Sequence, residues 1–331
     1  MRIILAIMTG IILSNSLQAQ QALFVPAPNS PFAVGKRPWD MAVGDVNKDG
    51  KLDIITANME DDNATVLLGN GRGDFKDAPG SPFAAGAKPQ FVAIGDLNGD
   101  RNLDLAFSQH DGSYEVRILF GEGNGKFNPA PHSPLMTLNS TDPHTHGLVL
   151  NDVNNDGISD FVTPNEGSKD ISIFLGEGSG GFKAAADSPL ALRANGNYAA
   201  IGDINRDGNP DLAITHDDSD LMTIFLGNGR GNFKIASGSP FNLGYHAWNI
   251  VSADMNNDTK MDLVIRGPNN QFMVLLGDGN GIFKPAAGAP FTVGMNPLSL
   301  VIADVNSDAK LDILTANNGS NNVTVLLGKG Q

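Results

Sequence analysis

Apolar residues in this chain fall into short runs separated by polar and glycine-rich stretches. One kind of run is Met41-Ala42-Val43 or Phe91-Val92-Ala93-Ile94, and a second is Leu52-Asp53-Ile54-Ile55-Thr56. A third is Ala64-Thr65-Val66-Leu67-Leu68, with counterparts Val116-Arg117-Ile118-Leu119-Phe120 and Met273-Val274-Leu275-Leu276. A glycine-rich turn then leads into a last, irregular strand from Phe75. No window sustains apolar residues at i, i+3 and i+4 over a helical length. Short strands at even spacing with glycine-rich turns predict an all-β repeat architecture.

The runs recur as units. A polar loop begins at Asp45, Asp96, Asp152, Asp203, Asp254 and Asp304, at intervals of 51, 56, 51, 51 and 50 residues. In step with it come a glycine-rich turn, such as Gly69-Asn70-Gly71-Arg72-Gly73-Asp74-Phe75, and a Ser-Pro-Phe element or its variant. That element ends at Phe32, Phe83, Leu135, Leu190, Phe241 and Phe291. A period of about 50 residues with four strands per unit fits the blades of a β-propeller. The last copy runs Val323-Thr324-Val325-Leu326-Leu327-Gly328 and stops inside its glycine turn, lacking a fourth strand. Phe24 to Phe32 align with Phe75 to Phe83 at a constant offset of 51 and supply the missing piece. The expected fold is a six-bladed propeller of four-stranded blades, closed by residues 22–34 completing the last blade. Closure removes the open sheet edges that would template aggregation.

The polar loop carries the candidate chemistry. Asp45-Val46-Asn47-Lys48-Asp49-Gly50-Lys51-Leu52-Asp53 places side-chain oxygens at positions 1, 3, 5 and 9. A hard cation such as Ca2+ takes roughly six to eight oxygens, mixing carboxylates, amides and backbone carbonyls. Asp45, Asn47, Asp49 and Asp53, with the carbonyl of Lys51, form the first candidate set. The second is Asp96, Asn98, Asp100, Asn102 and Asp104, and the third Asp152, Asn154, Asp156, Ile158 and Asp160. The fourth is Asp203, Asn205, Asp207, Asn209 and Asp211, and the fifth Asp254, Asn256, Asp258, Lys260 and Asp262. Asp304, Asn306, Asp308, Lys310 and Asp312 complete the series, so up to six Ca2+ ions are expected. Gly50, Gly157 and Gly208 ease the turn at position 6, which makes the loops at residues 45–53, 152–160 and 203–211 the best sites. Arg101, Thr259 and Ala309 stand there in the others. If that position needs positive φ, a β-branched residue costs on the order of 1 kcal/mol. An EF-hand is excluded, because position 12 is Thr56 in an apolar run where a bidentate Glu is required. The alternative to metal is a network of side-chain-to-backbone turns.

Composition sharpens this. The formal charge is −14, yet the loop aspartates are 18 of the 36 acidic residues, and without them the chain would carry +4. The acidity is local and points at cations, and six divalent ions would nearly cancel it. No basic stripe with interleaved aromatics appears, which argues against a nucleic-acid partner. No cysteine is present, so disulfides and thiolate metal sites are impossible. Met1-Arg2, a short apolar run and a polar stretch ending at Ala19 read as a signal peptide over residues 1–19, leaving residues 20–331 as one domain. The run is too short to cross a bilayer comfortably, so no membrane span is expected after its removal. The expected location is secreted, or periplasmic in a Gram-negative source.

The Asp-x-Asn-x-Asp-Gly loop, the Gly-x-Gly-x-Gly-x-Phe turn and Phe-x-x-Ala-Pro (Phe24 to Pro28, Phe75 to Pro79, Phe127 to Pro131) resemble the FG-GAP or VCBS repeat. Integrin α-subunit propellers carry a related repeat, as do many exported bacterial proteins. The resemblance spans residues 22–331 and implies that the loop joins the first two strands of a blade and binds Ca2+. It implies a binding or adhesion scaffold without specifying a ligand. Integrin propellers have seven blades, and this chain departs from them in number.

In such a fold the remaining loops share the face opposite the metal loops. Six residues before each loop's first Asp stand Trp39, Gln90, His146, Asn197, Trp248 and Leu298. Five residues after each ninth position stand Asn58, Gln109, Asn165, His216, Gly267 and Asn317. Both sets vary while the landmarks stay fixed, as on a functional rim of a repeated scaffold. Trp39 and Trp248 among amides and imidazoles suit a sugar, by stacking and neutral hydrogen bonds. The rival reading packs the Trp under loops and uses the amides to close turns. His144 and His146 lack a carboxylate partner fixed by spacing. His110-Asp111 and His216-Asp217 make poor acid–base pairs, since adjacent strand residues point to opposite faces. The expected function is a monomeric binding module for a carbohydrate or an extracellular or envelope protein. A polysaccharide-processing lyase or hydrolase and a purely structural envelope repeat are the alternatives.

Overall fold

Each apolar run pairs with the next across a short turn, and six antiparallel sheets result. The computed structural model describes residues 24–110, 115–131, 133–136, 147–165, 168–244, 246–247, 249–256, 258–266, 271–286, 291–292 and 297–328. The expected leader, His144, His146, Trp248 and Gly267 lie outside them.

Blade 1 consists of Pro38–Gly44, Asp53–Asn58, Asn63–Gly69 and Phe75–Asp77, in that order from the axis outward. Blades 2 to 5 repeat it, with first strands Pro89–Gly95, Val149–Asn151, Gly196–Gly202 and Asn249–Ala253. In blade 6, Pro297–Ala303, Asp312–Asn317 and Asn322–Gly328 are joined by Phe24–Pro26 as the outer strand. Its register is Phe24 to Gly328, Val25 to Leu327 and Pro26 to Leu326, so the expected N-terminal piece completes the last blade. The first strands of adjacent blades touch in a closed cycle, the sixth meeting the first.

The outer strand of every blade is broken in two. In blade 1, Phe75–Asp77 pairs with the end of Asn63–Gly69 and Phe83–Ala84 with its beginning. Between them Pro79 and Pro82 cannot donate to the ladder, which interrupts it. Ser81, before the cis Pro82, restores one bond by accepting the N–H of Val66 at 2.9 Å. Ser133, Ser188, Ser239 and Ser30 do the same in four other blades.

Second strands such as Asp53–Asn58 and Asp104–Gln109 are buried at every residue. Each lies inside its blade and packs on a neighbouring blade through both faces, so its apolar run need not alternate. Ile54, Leu105, Phe161 and Leu212 are among the side chains fully removed from water, each contributing about 1.5–3 kcal/mol. The loop end of the ring is also tied across blades. Gly125 N–H donates to the Val46 carbonyl at 3.1 Å, and Gly180 and Gly231 reach Leu97 and Val153 in the same way.

Candidate functional site

All six polar loops join the first and second strands of a blade and lie at one end of the ring. Position 6 has positive φ in every copy: Gly50 79°, Arg101 66°, Gly157 84°, Gly208 84°, Thr259 65° and Ala309 62°. Position 4 does so too at Lys48, Gly99, Asn155, Arg206 and Ser307, which the sequence reading missed. These turns aim backbone N–H groups into the loop. Asp45 accepts Asp49 N–H at 3.1 Å and Gly50 N–H at 2.8 Å, Asn47 accepts Asp49 N–H at 2.9 Å, and Asp49 accepts Lys51 N–H at 3.0 Å. The other loops repeat the pattern, as at Asp152, Asn154 and Asp156.

The ninth residue has a different place. Asp53 is buried, one oxygen accepting Val46 N–H at 3.0 Å and the other Gly69 N–H at 2.8 Å. Asp104, Asp160, Asp211, Asp262 and Asp312 make the same two bonds. Each is a strut joining the start of the loop to the end of the third strand. Burial pushes the Asp53, Asp104 and Asp160 carboxyls up to about 6, against those bonds and with help from the loop's other aspartates.

Among the described residues no three acidic or imidazole groups converge as a formed metal centre. The donor chemistry nevertheless fits a hard cation. Each loop offers three carboxylates and an amide, and an oxygen that accepts one N–H keeps a lone pair. Where Lys stands at position 7 it competes: Lys51, Lys260 and Lys310 lie 3.3, 3.0 and 3.4 Å from Asp49, Asp258 and Asp308. The hydrogen bond from Lys260 holds the Asp258 carboxyl below its ordinary range. Ile158 leaves the third loop without a competitor at position 7, and in the fourth the neutral Asn209 amide donates to Asp207 at 2.8 Å in place of a lysine.

Most residues of the expected ligand rim lie inside the fold. Asn58, Gln90, Gln109, Asn165, Asn197, His216 and Asn317 are all buried. Asn58, Asn165, His216 and Asn317 bond across the hairpin between the second and third strands. Asn58 donates to Asn63 and Thr65, both at 2.8 Å, and Asn317 to Asn322 and Thr324. Asn165 donates to Asp170 and Ser172, while Gln109 donates to the Ala85 and Phe107 carbonyls. His216 Nε2 lies 2.8 Å from Thr223 Oγ1, and burial holds this imidazole below its ordinary pKa. Asn197 reaches Asp217 at 3.5 Å. Trp39 is half-buried, with Arg37 over its ring at 5.9 Å and His110 beside it.

One step further along the first strand lies a ring that sequence counting missed. Asp40, Phe91, Gly147, Tyr198, Asn249 and Ser299 occupy equivalent places in the six blades, five residues before each loop. They line an axial cavity of about 290 Å3 to which every first strand contributes. Asp40 accepts Val92 N–H at 3.1 Å, and burial raises its carboxyl to about 6. Counting back five residues instead of six would have exposed the ring's diversity.

The sequence matches no curated protein. Among solved structures, the fold resembles BBS1N in complex with ARL6DN, with a TM-score of 0.58, 11% identity, and 92% of this chain and 97% of that chain covered. It also resembles the periplasmic gluconolactonase of Pseudomonas aeruginosa, with a TM-score of 0.59, 15% identity, and coverage of 87% and 80%. At such identities the likeness is one of fold alone. The model of the FG-GAP-like repeat matches residues 45–107, 152–214, 203–265 and 254–315, each span running from one polar loop to the second strand of the next blade. These spans cover more than half of the chain, and their landmarks are the loops and strands described above: the protein belongs to the FG-GAP-like repeat family.

Proposed function

We infer that the protein is an exported, Ca2+-stabilised propeller that binds a carbohydrate or an extracellular protein away from its metal loops. One observation carries the reading. The loops and struts repeat from blade to blade, whereas the axial ring holds six different residues. Repetition of that kind suits a scaffold, and variation at one level suits recognition. The likeness to a gluconolactonase carries no reaction with it, since one fold hosts many functions.

Ca2+ would be held by the first, third and fifth residues of each loop, supported by the buried ninth. It would supply counter-charge to carboxylates that otherwise repel one another. The loops beginning at Asp152 and Asp203, with glycine at position 6 and no competing lysine, are the strongest. Thermal unfolding with Ca2+ and after chelation tests this. At free Ca2+ 100-fold above Kd, each site stabilises the fold by about 2.7 kcal/mol. A midpoint that ignores chelation removes the metal from the reading. A glycan array probed with the full chain in Ca2+ should give hits without cleavage, and released products would instead favour the enzyme alternative.

A further inference from the structure

We propose that the axial cavity binds one neutral, polyhydroxylated ring, a single sugar unit, between a polar arc and an aromatic arc. The inference rests on the carbohydrate form of the proposed function and names its site. The six ring positions divide by chemistry. Asn249, Ser299 and Asp40 come from the adjacent blades 5, 6 and 1, and form a polar half. Phe91 and Tyr198, from blades 2 and 4, form the opposite half, with Gly147 between them.

At Gly147 blade 3 packs closely on the backbone of blade 4. A Cβ at Gly147 would stand 2.7 Å from the Asn197 carbonyl oxygen and 2.8 Å from Tyr198 Cα. The Phe91 and Tyr198 rings, from the blades on either side, meet edge to face at 5.0 Å. Phe91 is 1% and Tyr198 8% exposed, so the pair is closely packed and forms the apolar boundary of the cavity.

The polar half is rich in acceptors. Asn249 is 4% exposed, and its Oδ1 has no hydrogen-bond partner among the described residues. Its amide bonds the Tyr198 hydroxyl, which holds the side chain in place. Asp40, 8% exposed, has Ser299 beside it and one oxygen on Val92 N–H. A buried acceptor without a partner is costly, on the order of 1–3 kcal/mol, and a ligand hydroxyl would satisfy it. A carboxylate beside it can accept from two neighbouring hydroxyls at once.

Two charged side chains stand near the aromatic half. The charges of Asp40 and Arg266 both act on Tyr198, with opposite signs. Arg266 stands where the other blades carry Ala57, Ser108, Pro164, Thr215 and Ala316, so the compensation is peculiar to this side of the ring. Hydroxyl groups can donate both to the neutral Asn249 oxygen and to the Asp40 carboxylate, which a ring carrying several hydroxyls does at once. Its volume lies at the small end of ligand pockets, which limits it to one ring.

The test uses the full chain in Ca2+ with four free monosaccharides, glucose, galactose, fucose and N-acetylglucosamine, followed by saturation-transfer NMR. At least one should bind, and Asp40→Asn and Asn249→Leu should each weaken it tenfold or more. Ser299→Val, which narrows the cavity and removes the hydroxyl beside Asp40, should weaken it as well. Thermal unfolding of each variant shows that it is folded. Binding lost in Trp39→Ala and kept in all three cavity variants overturns the site while leaving a carbohydrate-binding protein. Glycan-array hits with no monosaccharide bound would do the same. Tetramethylammonium binding in place of every sugar overturns the neutral ligand.

Discussion

At position 6 of the polar loops the backbone is left-handed whatever the residue, and that fixes what substitution there should do. Thr259 holds φ 65° while its N–H donates to Asp254 at 2.8 Å, a bond that glycine retains. A β-branched residue in this region costs about 1–2 kcal/mol, and glycine's freedom in the unfolded chain returns about half of that. Thr259→Gly should therefore raise stability by about 0.5–1 kcal/mol in urea unfolding. The reverse change, Gly208→Thr, should cost a similar amount, since no atom lies within 4 Å of the added Cβ and only the backbone resists. A second residue-scale expectation concerns Asp40, whose carboxyl rises from 3.8 to about 6 on burial. The folded state holds this proton more tightly than the unfolded chain. Its contribution is thus fully present below pH 3.8 and lost as pH rises through about 6. At about 1.4 kcal/mol per pH unit the loss approaches about 3 kcal/mol. Asp40→Asn, which cannot ionise, should gain on the parent protein by up to that amount between pH 4 and pH 7. A difference between the two that stays flat with pH would show an ordinary carboxylate.

At the scale of the element, the hairpin between the second and third strands is held by one side chain from below. Asn58→Ala removes the donors to Asn63 and Thr65 and the acceptor of the buried Thr56 hydroxyl, at a cost of about 1–3 kcal/mol. Urea unfolding checks it, and lost ligand binding at unchanged stability would return Asn58 to a recognition role. This element also shows what was legible in the sequence. Six copies in register revealed the strands, the loops and the closing strand, because repetition averages out the ambiguity of any single short run. The direction of the side chains was not legible. In blade 1 the register between the first and second strands shifts between Pro38 and Asp40, and similar shifts occur in blades 2, 4 and 6. A bulge adds one residue to a strand, so the faces taken by residues beyond it no longer follow simple alternation. Counting from the loop therefore picked Trp39 and Gln90 and passed over Asp40 and Phe91. The buried amides were missed for another reason. A polar residue that varies between copies looks like a recognition residue until its partner is seen to be a hydroxyl of the neighbouring strand, as Asn58 with Thr65, Asn165 with Ser172 and His216 with Thr223.

For the whole molecule, the ring is closed by hydrogen bonds and packing alone, since no cysteine is available to staple it. The N-terminal segment covers the third strand of blade 6 through Phe24–Pro26 and Phe32–Ala33. It also reaches blade 1, where the Phe32 ring meets Phe75 edge-on at 5.2 Å. Ala27 and Phe32 are buried, Ala27 N–H donates to the Val325 carbonyl, and Val325 N–H donates to Ser30. Deleting residues 20–33 would expose Asn322–Gly328 as an edge strand and open the contact between blades 6 and 1. The lost burial of Phe32 and the lost ladder bonds amount to several kcal/mol, at about 2–3 and about 1 kcal/mol each. A shift of about 2–4 °C per kcal/mol then places the melting midpoint well below that of the full chain. The exposed edge should also promote self-association, visible by light scattering. A synthetic peptide of residues 20–35 separates edge capping from general weakening, because an added strand supplies the same ladder in trans. If the peptide restores the midpoint and the monomer, closure acts through this one strand. If deletion leaves both unchanged, the ring is held by the contacts between first strands, and the N-terminal strand is a cover without structural weight.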